Sequence, residues 1–136
     1  PSRNWPQTYP DRSMTSIYQD IILDHYRNPR CHGTLPHPTH QSQAINASCG
    51  DKLHMDIIVK NDMIEEVRFS GVGCAISQAS ASLLPEKVTG QTVGEALAPE
   101  PQDVLTLLGV PLSPSRIKCG LLSLETLQKS LHSPTN

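Results

Sequence analysis

Aromatic side chains are scarce in this 136-residue chain: Phe, Trp and Tyr together make 4%, with Trp5 the single tryptophan and Phe69 the single phenylalanine. A core must therefore be built from Leu, Ile, Val and Ala. There is no surplus of positive charge either. Eleven Lys and Arg against thirteen Asp and Glu give −2, which argues against a broad phosphate-binding face and so against a nucleic-acid partner. No run approaches the roughly 18 apolar residues of a membrane span. The first thirty residues lack the apolar stretch of a secretory signal. The expectation is a cytoplasmic protein without a membrane partner, an organellar matrix being the other compartment that fits. No C-x-x-C pair occurs among the four cysteines, Cys31, Cys49, Cys74 and Cys119. In a reducing compartment, cysteines so widely spaced are metal ligands, nucleophiles or core residues.

The length is that of one domain. Residues 1–14, rich in proline and without periodicity, read as a flexible N-terminal arm. Residues 15–132 read as a single domain, and 133–136 as a tail. Helical spacing begins near Thr15, with Ile17, Ile21 and Ile22 on one face and His25 beside them; Pro29 ends that helix. A polar loop with His32, His37 and His40 follows. Leu53, Met55, Ile57 and Val59 then alternate with His54, Asp56, Ile58 and Lys60, the period of a strand with one buried face. Asn61-Asp62 turns the chain into a returning strand over Ile64–Phe69. A weaker third strand falls in residues 41–46. From Ala75 the spacing is helical again, with small residues suited to close packing and a stop or kink at Pro85. Thr92 and Glu95 fit a capping box. Residues 102–108 read as a short helix, and Ser113-Pro114 opens a last helix with Leu121, Leu124, Leu127 and Leu131 along one side. Strands grouped together and helices grouped after them imply an α+β fold, a small antiparallel sheet with helices on one face.

Three junctions carry possible chemistry. Cys49 and Asp51 flank Gly50 in a turn, where a thiolate and a carboxylate can face one point as ligands for zinc or iron; a buried cysteine beside a turn-forming aspartate is the plainer reading. Cys74 follows Gly71-Val72-Gly73 at the start of a helix, whose unpaired N–H groups and positive end stabilise a thiolate; a simple helix cap is the plainer reading. Cys119 lies near the start of the last helix with Arg116 and Lys118 close by, positive neighbours that lower a thiol pKa; a buried cysteine on the leucine face is the plainer reading. Each signal alone is weak. Together they place three cysteines and one carboxylate at element junctions, which one end of a sheet can gather into a tetrahedral set. His32, His37 and His40 read as solvated loop residues, His25 as a helix-face residue, His54 as an outer-face strand residue and Cys31 as incidental.

Four segments in order, Tyr18–Arg30, Asn46–Asp51, Phe69–Ser82 and Pro114–Cys119, resemble the U-type iron–sulfur cluster assembly scaffold family, the group of IscU, SufU and the NifU N-terminal domain. The likeness covers about residues 15–132. It implies a three-stranded antiparallel sheet with packed helices, and a site at an exposed end of the molecule. Cys49, Asp51, Cys74 and Cys119 would there hold Zn²⁺ or a transient [2Fe–2S] cluster, with Cys119 receiving persulfide sulfur. It further implies a cysteine desulfurase and acceptor apo-proteins as partners, and a monomer or weak homo-oligomer. The Pro-x-Arg-x-Lys-Cys pattern of Pro114–Cys119, with Lys118 where the IscU branch usually carries histidine, resembles the SufU branch. The stretch Gly90–Pro111 is short for that branch, and no Leu-Pro-Pro-Val-Lys segment is present. Two functions stand on this resemblance: a scaffold that accepts sulfur and builds a cluster, or a zinc-dependent sulfurtransferase that only relays sulfur.

Overall fold

The computed structural model describes residues 12–47 and 50–134. Its elements are helix α1 (Arg12–Arg27), strands β1 (His40–Asn46), β2 (Asp51–Lys60) and β3 (Met63–Val72), and helices α2 (Ala75–Val88), α3 (Val93–Leu97), α4 (Pro101–Leu108) and α5 (Pro114–Leu131). The strands form one antiparallel sheet in the order β1-β2-β3. This is the α+β architecture expected, including the weak third strand. Asn61 and Asp62 both take positive φ, 52° and 66°, the two-residue turn whose twist suits a hairpin.

Alternation along the strands decides the inner face. Leu53, Met55 and Ile57 from β2, Ala44 from β1 and Ile64, Val67 and Phe69 from β3 are buried against Ala81, Leu84 and Val88 of α2 and Leu122, Leu124 and Leu127 of α5. A second cluster joins Ile22 of α1 and Ala79 of α2 to Leu108 and Val110. Small residues bring α2 and α4 onto α5: the Ser80 hydroxyl lies 2.7 Å from the Gly120 carbonyl, and a Cβ at Gly120 would stand 2.9 Å from Leu108 Cδ1 of α4.

Three expectations are corrected here. Helix α1 starts at Arg12 rather than Thr15; residues 1–11 and 135–136 lie outside the described residues. Helix α2 does not stop at Pro85 but runs on to Val88. Proline so close to a helix end forfeits a single backbone bond, its ring is buried, and its carbonyl accepts the Thr89 N–H at 3.0 Å and the Thr89 hydroxyl at 2.7 Å. The outer face of the sheet is not simply solvated. Asp56, read as an outward strand residue, is only 3% exposed: the loop after α1 crosses over it, and the Leu35 N–H donates to Asp56 Oδ2 at 3.0 Å while His54 Nε2 lies 2.7 Å from Oδ1. The expected capping box and the expected start of the last helix are both present. Thr92 and Glu95 form the reciprocal box at α3, and α5 opens at Pro114 behind Ser113.

Both sheet margins are covered in part. On β3, Gly33 donates to the Phe69 carbonyl and Phe69 to the Cys31 carbonyl, each at 2.8 Å, while Ile64 exchanges bonds with Gln91 and Gly90. On β1, the Gln41 N–H reaches the Ser133 carbonyl, and Lys129 Nζ donates to the Gln43 carbonyl at 2.9 Å. Among the described residues no helix is long and apolar enough to cross a membrane.

Candidate metal centre

Register gathers the site. Asn46 pairs with Asp51 across β1 and β2, and Lys52 with Val72 across β2 and β3. The end of β1, the start of β2 and the end of β3 therefore share one edge of the molecule. Gly73 carries the chain from β3 into α2, with Cys74 as the extended N-cap residue at φ −75° and ψ 172°. Helix α5 supplies Cys119.

The carboxylate, thiol and thiol of Asp51, Cys74 and Cys119 offer ligand atoms that all lie within 4.8 Å of one another. Asp51 is 0% exposed. Its Oδ1 accepts the Cys74 N–H at 2.9 Å, whereas Oδ2 is buried with no hydrogen-bond partner. A buried charged oxygen without a partner costs several kcal/mol unless a cation meets it. One such oxygen beside two sulfurs is the donor chemistry of a zinc or iron site. The residues present thus fit the metal that the sequence implied. Cys49, the fourth expected ligand, lies outside the described residues.

Cys74 is half-buried, and burial, the largest single influence on its thiol, raises the pKa. The Ser77 backbone N–H, the Cys119 side chain and the Ile76 backbone N–H together outweigh that burial and the charge of Asp51, so the net direction is down. This is the thiolate stabilisation expected of a helix start. Cys119 is 0% exposed and takes a hydrogen bond from Asn46 Nδ2 at 3.8 Å. The site is thus more enclosed than the exposed end anticipated. The reason is the phase of α5: Cys119 shares its buried stripe with Leu122, Ser123, Thr126 and Leu127, while Arg116 and Lys118 point to solvent.

No histidine joins this group among the described residues. His32 packs edge-on against Phe69 with centroids 5.3 Å apart, and His37 is exposed. His40 Nδ1 lies 2.9 Å from the Thr39 hydroxyl. His25 is buried, not merely on a helix face, with Nδ1 2.7 Å from the Ser82 hydroxyl. Cys31 sits apart on the crossing loop at φ +60°, its thiol pushed up by burial. Sequence reasoning named Asn46, Gly73 and Ser77 only as members of the cysteine motifs and gave them no contact at the site; membership in those motifs was the signal that pointed to them.

The chain matches the NifU-like N terminal domain over residues 17–133. It is 31% identical to the zinc-dependent sulfurtransferase SufU of Bacillus subtilis, covering 88% of this chain and 92% of that one. It is 38% identical to the iron–sulfur cluster assembly scaffold protein IscU of Aquifex aeolicus, covering 87% and 76%. A crystal structure of a SufU from Fervidobacterium islandicum, described as a scaffold protein for the SUF system, superposes with a TM-score of 0.72 at 30% identity, covering 85% of this chain and 97% of that one. The two branches match to similar degrees. The fold, the Asp51–Cys74–Cys119 cluster and a family match over most of the length agree, and the chain belongs to the NifU N-terminal, IscU and SufU family of iron–sulfur cluster assembly proteins.

Proposed function

We propose that this protein accepts sulfur from a cysteine desulfurase at Cys119 and assembles a [2Fe–2S] cluster for transfer to acceptor apo-proteins, with Cys49, Asp51, Cys74 and Cys119 as ligands to the cluster or to Zn²⁺. The observation that carries this reading is the convergence of three ligand atoms within 4.8 Å around a carboxylate oxygen that has no other partner. In the sulfur step, a Cys119 thiolate attacks the outer sulfur of the desulfurase persulfide. The S–S bond of that persulfide breaks, the desulfurase cysteine leaves as a thiolate, and Cys119 becomes the persulfide. Because Cys119 is enclosed, its neighbours must part for the donor to reach it. When bound, zinc keeps the ligand thiols deprotonated. The Cys74 surroundings already favour that state, and Asn46 presents an N–H to the Cys119 sulfur. The setting proposed is cytoplasmic, with a monomer or weak homo-oligomer.

A second reading, a zinc-dependent sulfurtransferase that relays sulfur without building a cluster, is favoured by Lys118 immediately before Cys119 and by the likeness to the Bacillus protein of that description. Anaerobic reconstitution with iron and sulfide separates the two. Visible absorption of a protein-bound cluster supports the scaffold; bound zinc and persulfide without such absorption support the relay. Undiminished sulfur adducts on Cys119→Ser after incubation with desulfurase and cysteine, read by mass spectrometry, would remove Cys119 from either role.

A further inference from the structure

The split environment of Asp51 depends on a neighbour that carries no side chain. A Cβ built on Gly73 would stand 2.6 Å from Asp51 Oδ1 and 2.3 Å from the Ser77 hydroxyl oxygen, both inside van der Waals contact. Gly73 is not among the positive-φ residues, so its φ does not exclude an L-residue, and the nearest atoms to an added Cβ belong to two side chains, Ser77 and Asp51. Gly71 differs: its φ is +139° and its Cβ would meet the Lys52 carbonyl oxygen at 2.0 Å, a backbone obstacle. The glycine at 71 serves the chain path. The glycine at 73 clears a space that Asp51 Oδ1 and Ser77 occupy.

We propose that Gly73 is a positioning residue for the metal centre: the missing side chain lets Asp51 Oδ1 dock on the Cys74 N–H, which aims Oδ2 alone at the cation and makes Asp51 a one-oxygen ligand. This rests on the reading of Asp51 as a ligand. A methyl group at 73 is expected to displace the carboxylate from the Cys74 amide while leaving sheet and helices in place, because the nearest atoms it strikes are side-chain and not backbone atoms. Displaced partners of this kind change metal affinity by about 10–100-fold.

The test uses zinc alone, with affinity measured by competition against a chromophoric chelator. Ser77→Ala serves as the background, so that a Cβ at 73 presses on Asp51 only. In that background Gly73→Ala is expected to weaken zinc binding by about 10–100-fold. It should also speed hydrogen exchange of the Cys74 amide in the zinc-free protein by at least about tenfold, since that amide loses its acceptor. With Asp51→Ala added, Gly73→Ala should change zinc affinity less than about twofold, the coupling that marks two residues acting as a unit. Equal losses with and without the Asp51 carboxylate, or no loss with it present, overturn the proposal. If Asp51→Ala alone leaves zinc affinity unchanged, Asp51 is not a ligand and both readings fall; if it weakens zinc while Gly73→Ala does nothing, only the positioning role falls.

Discussion

The side-chain amide of Asn46, the last residue of β1, donates to the sulfur of Cys119 on α5 across 3.8 Å. It joins the sheet edge to the helix that carries the buried thiol. One neutral N–H to a weak sulfur acceptor contributes no more than the about 0.5–1.5 kcal/mol of an ordinary hydrogen bond, and it favours the thiolate it points at. Asn46→Ala should therefore make Cys119 several-fold less reactive toward a small alkylating reagent in the folded, metal-free protein, because the donor that favours the thiolate is gone. Peptide mapping after timed alkylation checks this, and equal or faster labelling of Cys119 in the variant removes Asn46 as a thiolate partner.

Asp51 should govern how long a cluster stays. A single carboxylate oxygen among thiolates is the harder and more exchangeable ligand. Asp51→Ala is expected to lengthen the lifetime of a reconstituted [2Fe–2S] cluster, followed by decay of its visible absorption under air. Faster decay in the variant contradicts that role.

His25 gives the pH dependence a definite sign. Burial first, and the Arg30 guanidinium second, hold its imidazole below the usual histidine value, while Glu86 and Asp24 oppose them weakly. The Arg30 backbone N–H donates to the Ser82 oxygen at 2.8 Å, and His25 Nδ1 lies 2.7 Å from the same hydroxyl, a contact open to the neutral ring. With the folded pKa depressed, the unfolded chain takes up its proton first as pH falls. The stability from neutral His25 is complete above about pH 6.5 and is lost as pH drops through the folded value. The urea midpoint should fall from pH 7.5 to 5.5 more steeply for this protein than for His25→Gln. Parallel profiles would show that another group sets the acid limb.

Gly71→Ala should destabilise the fold by about 3 kcal/mol, because the added Cβ meets the Lys52 carbonyl in a backbone already at φ +139°. Equilibrium denaturation measures it. A loss under 1 kcal/mol would mean that the strand junction yields more easily than its packing implies.

The parts of the fold legible in the sequence were those written in local pattern. Leu53, Met55 and Ile57 announce an inner face by alternation, Asn61-Asp62 a turn, Thr92 and Glu95 a cap, and Ser113-Pro114 a helix start, because each signal acts over a few residues. Cys74 and Asp51 were legible as candidate ligands through their motifs, and the structure brings them together with Cys119. What escaped depends on distant chain. Asp56 is buried by Leu35, 21 positions away; His25 by Ser82, 57 away; and Pro85 stays in its helix because core packing holds its ring. The enclosure of Cys119 follows from the rotational phase of α5 against the sheet, which leucine spacing suggests only loosely.

The backbone bonds that Cys31, Gly33, Gly90 and Gln91 make to one outer strand, and the Ser133 carbonyl and Lys129 ammonium to the other, interrupt both rows of backbone groups that a foreign strand could zip onto. Flanks covered in part in this way resist strand-to-strand pairing with another copy, which favours side chains and loops as the surfaces of encounter.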